Sequence, residues 1–324
     1  MERVLITGAN GFLGVNVVAE FLDAGYKVRG LLRNRMSFIG KLHPELELVE
    51  GDFTDASVLR AAMQDCDYVI HCAAKTDQKS SYESYEKINV IASEQLVCVA
   101  IEQKIKKIIY VATANIFAYN DKNTPGDEKH RIRFPFTKYP YAVSKVEAVK
   151  RLTKYIDSIE IIIVCPTFML GAYDSRPSSG RIILFGYGKR MLFYPPGGKN
   201  FVHVSDVAHG IVKALQKGSN GECYLLANEN LSYKEFYEML AEQTDRHPLL
   251  IRLPRCVLLT VGFLGSFLFS LGIRNDMTLV NMRLLCVGNY YDNKKSIREL
   301  DVSYRPVRYA LTDAIEWFQK NNKL

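Results

Sequence analysis

Tyr141 and Lys145 are the residues of this sequence whose types and spacing best suit proton transfer. A separation of four residues places the phenol and the ammonium on one face of a helix. A free phenol has a pKa of about 10 and exchanges protons poorly at neutral pH, whereas a neighbouring cation favours the phenolate. We therefore expect Lys145 to lower the pKa of Tyr141 and to make it a general acid or base.

The setting of this pair distinguishes it from two other pairs with the same spacing, both in the polar segment 289–295. Pro140 can occupy the first turn of a helix that contains Tyr141 and Lys145. Thr113 follows a strand-like apolar run, where the carboxyl ends of parallel strands meet ligands, and its hydroxyl can bond a substrate oxygen. Alone, a tyrosine beside a solvated lysine or a threonine after a strand is an ordinary structural feature. Their combination predicts a catalytic trio.

A glycine-rich turn near the N-terminus has the pattern that phosphate binding requires. Gly8, Gly11 and Gly14 follow the apolar run 4–6 and open the amphipathic stretch 12–23. Glycine permits the tight turn, lets backbone N–H groups approach a pyrophosphate and lets the helix pack closely on the sheet, while the helix N-terminus attracts the anion. The strand, turn and helix together favour a dinucleotide site over a purely structural turn.

Apolar runs alternate with helical patterns through the first half of the chain. Several runs are too continuously apolar for burial on one face, which is typical of strands covered on both faces in a parallel sheet. We predict a doubly wound α/β fold of the Rossmann type. The expected strands lie at residues 3–7, 27–32, 46–49, 68–72, 108–111 and 159–164, and two of the intervening helices at 83–103 and 141–155.

The character of the sequence changes after Pro166, where glycine and proline become frequent and indicate long functional loops. We expect two domains. A dinucleotide-binding domain would comprise residues 1–165 and about 201–228, and a smaller mixed α/β substrate-binding domain would comprise residues 166–200 and 229–324.

Composition excludes several classes of protein. The net charge is +7, but the Lys and Arg residues are scattered, so we expect no nucleic-acid partner and interpret the excess as weak attraction for an anionic cofactor or substrate. Seven cysteines form no C-x-x-C pair, which fits a reducing, cytoplasmic location, and no metal site is predicted. A strand begins almost at the N-terminus, so no secretory signal is expected before it.

Residues 257–273 form a stretch of 17 residues without a charge, bounded by Arg255 and Arg274. As a helix it would be about 25 Å long, shorter than the roughly 30 Å hydrocarbon core of a membrane. A packed helix pair of the substrate-binding domain is the first interpretation. A surface that meets lipid or an apolar substrate is the second, and a membrane span is the third.

Together these motifs resemble the extended short-chain dehydrogenase/reductase family, the NAD-dependent epimerase/dehydratase family. Its marks are TGxxGxxG, a Ser or Thr after the fifth strand, and YxxxK, and the resemblance covers essentially the whole chain. Within the family, segments 167–171, 178–181 and 231–234 are similar to the dihydroflavonol-4-reductase and 3β-hydroxysteroid-dehydrogenase branch. Where sugar-nucleotide epimerases usually carry Asn-Val-Tyr-Gly-Pro, this chain has Phe-Met-Leu-Gly-Ala at 168–172.

The resemblance implies a role for each motif residue. Tyr141 would exchange a proton with the substrate oxygen while the nicotinamide exchanges hydride with carbon, Lys145 would hold the nicotinamide ribose, and Thr113 would orient the same oxygen. Asp52 and Phe53 would contact the adenine, with capping of the next helix as the alternative for Asp52. The implied cofactor contacts are Gly8, Asn10, Gly11, Phe12, Leu13, Gly14, Asp52, Phe53, Ala73, Ala74, Tyr141, Lys145 and Pro166.

Cofactor choice depends on the end of the second strand, where an acidic side chain would hold the ribose 2′-hydroxyl of NAD. This chain reads Leu-Leu-Arg-Asn-Arg at 31–35, so no carboxylate competes there. Arg33 or Arg35 can pair with a 2′-phosphate through charge-assisted hydrogen bonds. The sequence therefore favours NADP over NAD, with two solvated arginines as the alternative.

Three functions are compatible with these observations. The first is NADP(H)-dependent reduction of a ketone, or oxidation of a secondary alcohol, in a relatively apolar small molecule or lipid. The second is a sugar-nucleotide epimerase or dehydratase with retained NAD, and the third is a non-catalytic NADP(H)-sensing protein on the same fold. The helices at 83–103 and 141–155 could form a homodimer contact as in relatives, with a monomer as the alternative, and any peripheral membrane contact would involve 257–273.

Overall fold

A parallel sheet of seven strands organises the chain. The computed structural model describes residues 1–77 and 80–324. The strands are β1 (Arg3–Thr7), β2 (Lys27–Leu32), β3 (Leu46–Glu50), β4 (Tyr68–His71), β5 (Lys107–Val111), β6 (Glu160–Pro166), β7 (Phe168–Leu170), β8 (Met191–Tyr194), β9 (Gly198–His203), β10 (Cys223–Leu226), β11 (Glu229–Ser232), β12 (Leu249–Arg252) and β13 (Gly288–Asn289). The helices are α1 (Phe12–Asp23), α2 (Ala56–Met63), α3 (Tyr82–Tyr85), α4 (Ala92–Glu102), α5 (Pro140–Leu152), α6 (Arg181–Gly186), α7 (Val204–Lys217), α8 (Tyr233–Gln243), α9 (Arg255–Ser270), α10 (Leu279–Leu285), α11 (Lys294–Leu300) and α12 (Val307–Lys320).

The strand order across the main sheet is β10-β6-β5-β4-β1-β2-β3, and every neighbouring pair is parallel. The chain first extends the sheet from β1 through β2 to β3, and then returns to the other side of β1 with β4. The order thus reverses between β1 and β4, where doubly wound sheets bind ligands beyond the carboxyl ends of the strands. This topology confirms the α/β fold that the sequence predicts.

Both faces of this sheet are buried, as the continuous apolar runs predict. Along β1, Leu5 belongs to a cluster that includes residues of α2, α4 and α5. Its neighbour Ile6 belongs to a cluster on the opposite face, which includes residues of α1 and α7. Both side chains are fully buried, and each such burial contributes about 1.5–3 kcal/mol. The sheet is therefore a rigid support for the side chains at its carboxyl edge.

The strands after β6 include two smaller sheets. β9 pairs with β7 and β13 in parallel and with β11 in antiparallel orientation, and β8 pairs with β12 in parallel. A third apolar cluster supports them, in which Phe201 stacks on Phe236 with ring centroids 4.7 Å apart. A capping box formed by Ser232 and Glu235 stabilises the N-terminus of α8, which explains why the helix begins directly after β11.

Two helices differ from the sequence-based expectation. The helix expected over 83–103 consists of α3 and α4 joined by a π-helical turn, Glu86–Ile91. The uncharged stretch 257–273 contributes only one helix, α9, and not a pair of helices. The second helix of the observed pair is α10, which follows this stretch in the chain and packs against α9. Within the described residues, no helix is both long and apolar enough to cross a membrane.

Candidate functional site

The glycine turn between β1 and α1 packs against the residues that follow β4. Gly8 has a φ of +70°, a left-handed conformation that glycine adopts at little cost, and a Cβ there would lie 2.9 Å from Ala73 Cα. A Cβ on Gly14 would lie 2.0 Å from the Gly8 carbonyl oxygen. α1 can therefore approach the turn this closely only if position 14 has no side chain.

The N-terminus of α1 presents backbone donors that suit an anion. Gly11 is the N-cap, no described side chain caps the helix, and the first turn, which contains Phe12 and Leu13, has no acidic residue. Gly11 is also exposed. Uncapped N–H groups and the helix dipole favour a phosphate at such a position. The residues present therefore fit the diphosphate of a dinucleotide.

The end of β2 lies beside this turn. The Gly8 N–H donates to the Leu31 carbonyl oxygen at 3.0 Å, and the Asn10 side-chain amide donates to Ser37 Oγ at 2.6 Å. Arg33, two residues beyond Leu31, is exposed at this edge. Arg33, which the sequence analysis proposes as a ligand of a 2′-phosphate, thus follows directly after the end of β2 that contacts the glycine turn.

The fold brings a carboxylate to the same region. Glu50, the last residue of β3, accepts a hydrogen bond from the backbone N–H of Arg35 at 3.0 Å. Segment 31–35 contains no carboxylate, but β3 is the parallel neighbour of β2, so the two strands end side by side. The sequence-based statement that no carboxylate competes at the end of β2 is corrected by this contact.

Asp52 and Phe53 follow β3. Asp52 is exposed, and its carboxylate accepts hydrogen bonds from the N–H and the hydroxyl of Thr54, both at 2.9 Å. The N-cap of α2 is Asp55, so the alternative that Asp52 caps this helix is wrong. The Phe53 ring lies 5.1 Å from the His71 ring, centroid to centroid. Both residues therefore lie along the carboxyl edge of β3 and β4.

Ala73, Ala74 and Pro166 follow or end two more strands of the sheet. The Ala73 N–H donates to Thr7 Oγ1 at 3.3 Å, which joins the end of β1 to the segment after β4. Ala74 is partly buried beside it. Pro166 ends β6, is buried, and pairs with Leu226 of β10. The expected contacts are thus distributed along the carboxyl edge, with Pro166 furthest from the turn in strand order.

The catalytic trio converges at the start of α5. Pro140 is the first residue of this helix, as predicted, and Tyr141 is the second. The Thr113 side chain, which follows β5, lies close enough to the Tyr141 hydroxyl to lower its pKa. Lys145 is buried one turn later, and its Nζ donates to the Val111 carbonyl oxygen at 2.7 Å. The structure therefore brings together the three side chains that the sequence selects.

Burial controls the protonation of these groups. Burial, followed by the proximity of Tyr85, raises the pKa of Tyr141, while the neighbouring Thr113 hydroxyl opposes this shift. Burial also lowers the pKa of Lys145 to about 7. Lys145 Nζ donates to the Tyr110 hydroxyl at 3.2 Å. The expectation that Lys145 lowers the pKa of Tyr141 is therefore wrong for this structure, because the ammonium is bonded towards β5 and is itself costly to charge.

Behind Lys145 lies a buried polar chain that the sequence analysis missed. His71 Nδ1 lies 2.7 Å from Thr7 Oγ1, and His71 Nε2 lies 3.0 Å from Ser93 Oγ. Ser93 also acts on the pKa of the Tyr110 hydroxyl, which accepts a hydrogen bond from Lys145. Burial, together with the charge of Lys145, lowers the pKa of His71 to about 3. The available signal was the presence of a histidine in the otherwise apolar strand 68–72.

Asn89, in the π-helical turn, was also missed. Its carboxamide oxygen accepts from the Lys75 N–H at 2.8 Å, and its amide group donates to the Lys75 carbonyl oxygen at 3.0 Å and to Ser144 Oγ at 3.1 Å. The side chain thus joins the segment after β4 to the helix that carries Tyr141. π turns occur frequently at functional sites. A buried amide on the apolar face of the expected helix was the signal.

Aromatic rings border the trio. The ring centroids of Tyr139 and Tyr85 lie 5.9 and 6.1 Å from that of Tyr141. Further out, Arg181 Nη1 lies 3.5 Å from an Asp276 carboxylate oxygen, and the charges of both groups act on Tyr139. In the ranges 1–77 and 80–324, no three His, Cys, Asp or Glu side chains are grouped so that they could hold a metal ion.

Comparisons with known proteins agree with this geometry. A model of the NAD dependent epimerase/dehydratase family matches residues 4–227. A protein of Synechocystis sp. that is provisionally named dihydroflavonol 4-reductase is 28% identical over 328 residues, which cover 98% of this chain and 94% of that protein. Sterol demethylase protein B of Methylococcus capsulatus is 27% identical over 329 residues, 99% of each chain. Among solved structures, that of gox2253 has a TM-score of 0.87 and 28% identity, with 100% of both chains covered.

Proposed function

The chain belongs to the NAD-dependent epimerase/dehydratase family and is a nicotinamide-dependent oxidoreductase of the extended type, and we propose that it uses NADP(H) to reduce a ketone in a relatively apolar molecule, or to oxidise the corresponding secondary alcohol. The observation that carries this proposal is the placement of Tyr141 beside Thr113 in an aromatic setting, at the sheet edge that holds the glycine turn. When bound, the nicotinamide supplies or accepts a hydride.

Tyr141 exchanges the proton in this proposal. Because burial raises its pKa, the phenol is protonated at neutral pH and can donate to a carbonyl oxygen that gains negative charge. Thr113 holds the same oxygen, since a hydroxyl can donate one hydrogen bond while it accepts another. Alcohol oxidation instead requires the phenolate. We therefore expect reduction to be favoured near neutral pH and oxidation to increase as the pH rises.

Lys145 and the glycine turn hold the dinucleotide. The N-terminus of α1 would bind the diphosphate, and Lys145 would donate to the nicotinamide ribose. With a pKa of about 7, Lys145 gains or loses its proton near neutral pH. Its bonds to Val111 and Tyr110 keep the ammonium next to the trio. The side chain is thus a positioned donor rather than a solvated cation.

Arg33 is the basis for NADP rather than NAD. It is exposed beside the glycine turn, and a guanidinium can form bidentate bonds with a 2′-phosphate. In Arg33→Ala, kcat/KM with NADPH should fall about 10- to 30-fold while the value with NADH is unchanged, because a charge-assisted bond contributes about 1.5–2 kcal/mol at such a site. Arg308→Ala is the control, since this exposed arginine lies on α12 and is not among the expected cofactor contacts. An equal loss with both cofactors would contradict this assignment.

The surroundings of Tyr141 indicate an apolar substrate. Tyr85 and Tyr139 present aromatic carbon beside the phenol, and two relatives carry names from dihydroflavonol and sterol chemistry. NADPH consumption should be tested with panels of steroid, flavonoid and long-chain keto-lipid substrates. Tyr141→Phe should lower kcat at least about 100-fold and retain NADPH binding. Turnover at the normal rate in this variant would remove Tyr141 from the mechanism.

A sugar-nucleotide epimerase or dehydratase with retained NAD is the second candidate, and Lys199 is the observation that favours it. Its Nζ lies 4.7 Å from the centroid of the Phe168 ring, and burial lowers its pKa to about 8. Lys199 lies within residues 166–200, which the sequence analysis assigns to the substrate-binding domain, and a partly buried cation there suits an anionic substrate group. The second candidate predicts NAD that copurifies with the protein and turnover without net oxidation or reduction. Such behaviour, with no reaction on any ketone panel, would replace the first proposal.

A further inference from the structure

Most of the large apolar side chains exposed on α9 lie opposite the face that the helix buries. Its buried residues are Leu258, Gly262 and Gly265, whereas Phe263 and Phe267 are 67% and 57% exposed. A surface helix ordinarily turns its large apolar residues towards the core. The exposed face of α9 consists of Val257, Phe263, Leu264, Phe267 and Leu268, and the exposed Leu271 directly follows the helix. A contiguous apolar face of this kind marks a site of interaction.

Close packing on α10 fixes the orientation of α9. A Cβ on Gly262 would lie 2.9 Å from Leu279 Cα, and one on Gly265 would lie 2.0 Å from a backbone oxygen of the following loop. The Leu279 N–H donates to Ser266 Oγ at 2.8 Å, and the Asn275 amide donates to the Gly265 carbonyl oxygen at 2.9 Å. Rotation of α9 to bury its phenylalanines would break all of these contacts. The small residues must face inward, and the large ones consequently remain outside.

The chain around α9 carries a net positive charge. Residues 246–275 include four arginines and no Asp or Glu, and the aspartates nearest to this range are Asp245 and Asp276 at its two borders. All four arginines are exposed, and two of them, Arg252 and Arg255, line an open cavity of about 480 Å³ at the N-terminus of α9. The other two are Arg246 and Arg274. An apolar helix face flanked by arginines is the composition of helices that lie in the interface of an anionic membrane.

The two-stranded sheet before α9 adds apolar surface. Leu192 of β8 is buried in the third cluster, whereas its neighbours Met191 and Phe193 are exposed. Leu249 of β12 is exposed as well and pairs with Met191. Only two residues separate β12 from α9. The apolar surface therefore extends along the chain beyond α9 itself.

We propose that the exposed face of α9 docks on the surface of an anionic phospholipid bilayer. The helix would lie in the plane of the interface, with its phenylalanines among the acyl chains and its flanking arginines at the phosphate groups. A symmetric second copy fits less well, because a two-fold interface would bring the same acid-free, arginine-flanked segment against itself. Anionic head groups supply the opposite charge that this segment lacks.

Docking gives the enzyme access to lipid-dissolved substrate, a consequence that rests on the proposed function. α10 is the helix on which α9 packs, and its residues Val280 and Leu284 contact the same core cluster as Tyr141. The loop between α9 and α10 carries Asp276, which pairs with Arg181 near the aromatic border of the trio. The docking helix therefore packs on a helix that contacts the same apolar core as Tyr141.

Vesicle sedimentation tests the apolar face. The wild-type chain should bind vesicles of phosphatidylcholine mixed with phosphatidylglycerol, bind pure phosphatidylcholine more weakly, and lose affinity at high salt. The double variant Phe263→Glu with Phe267→Glu should reduce partitioning at least about tenfold, because each phenylalanine loses its apolar burial. The double variant Ile297→Glu with Tyr309→Glu is the matched control, because it places the same two charges on 47% and 54% exposed residues away from α9 and should bind like the wild type.

The arginines provide a separate test. Arg252→Gln and Arg255→Gln should each weaken binding to anionic vesicles about fivefold and leave binding to pure phosphatidylcholine unchanged. Arg308→Gln, which removes an exposed arginine of α12, is the control. Equal weakening by the control would show that net charge alone attracts the protein, and would overturn the assignment of α9.

Several outcomes would overturn the docking proposal. The wild type failing to bind anionic vesicles is one, and an equal loss of binding in the Ile297→Glu, Tyr309→Glu control is another. A wild-type dimer that dissociates in the phenylalanine variant, without vesicle binding, would assign this face to a second copy. Circular dichroism verifies folding, and the rise in Tm with NADPH reports on the nucleotide site. A failure of the docking face is thereby distinguished from a failure of the proposed function.

Discussion

The buried ammonium of Lys145 should make the stability of the protein depend on pH in a defined way. Burial lowers its pKa to about 7 in the folded protein, whereas the ordinary value in an unfolded chain is about 10.4. Between these values the unfolded chain binds one proton more than the folded protein, so the free energy of unfolding increases with pH. The cost of burial is fully present below pH 7 and disappears as the pH approaches the unfolded value. Integration from pH 7 to pH 9 gives a gain of about 2 kcal/mol.

The difference between the wild type and Lys145→Met isolates this effect. Urea unfolding can be followed by the fluorescence of Trp317, the only tryptophan of the chain. We expect the stability of the wild type relative to the variant to increase by about 2 kcal/mol between pH 7 and pH 9. Cys72 and Cys165, which act on Lys145, have raised pKa values of their own, but they titrate in both proteins and largely cancel.

The slope of this difference, and not its size at one pH, tests the reasoning. Lys145→Met also leaves the Val111 carbonyl oxygen and the Tyr110 hydroxyl without their donor, a pH-independent cost of about 1–3 kcal/mol. Lys150→Met is the control, since this lysine lies on α5 with an exposed side chain and should give no slope. A difference that is flat or falls with pH for Lys145→Met would refute burial as the cause.

Three further changes test other parts of the site. Gly14→Ala places a Cβ 2.0 Å from the Gly8 carbonyl oxygen, so the free energy of unfolding should fall by about 1–3 kcal/mol and NADPH should no longer raise Tm. In the control Gly25→Ala, which lies away from the turn, NADPH should still raise Tm. Thr113→Val should lower kcat about 10- to 100-fold with little change in KM, and Thr113→Ser should restore most of it, as steady-state kinetics can show. Asn89→Leu removes both hydrogen bonds to the Lys75 backbone, so urea unfolding should report a loss of about 2–4 kcal/mol, and the rescue by Asn89→Gln should be incomplete.

The elements that local rules determine could be predicted from the sequence. The glycine turn and the strands before and after it depend on residues within a few positions of one another, and β1, β2 and α1 have the predicted bounds. Position 140 illustrates the same point, because proline at the start of a helix requires no distant partner. The fold class follows from the continuous apolar runs, since such strands are stable only between two layers.

The contacts that cross between strands could not be predicted. Glu50 lies beside Arg35 because β2 and β3 are parallel neighbours that end together, and no spacing in the sequence encodes this. The direction of the Lys145 ammonium is a similar case. Helical spacing correctly placed Lys145 one turn from Tyr141, but the carbonyl oxygen that it contacts belongs to β5. Local spacing therefore predicts which residues share a face, and tertiary packing decides which atoms they contact.

The opposite pKa shifts of Tyr141 and Lys145 have one origin, and this affects how the site is understood. Burial disfavours the charged form of each group, so it raises the pKa of the acid and lowers that of the base. The phenol of Tyr141 is thus neutral at pH 7, and the pKa of Lys145 is close to that pH. Any ligand that offers acceptors to Lys145 favours its charged form, and that charge in turn stabilises a phenolate at Tyr141. The mutual activation inferred from their spacing is consequently a property to be sought in the ligand-bound protein, where it would be seen as proton uptake on nucleotide binding near pH 7.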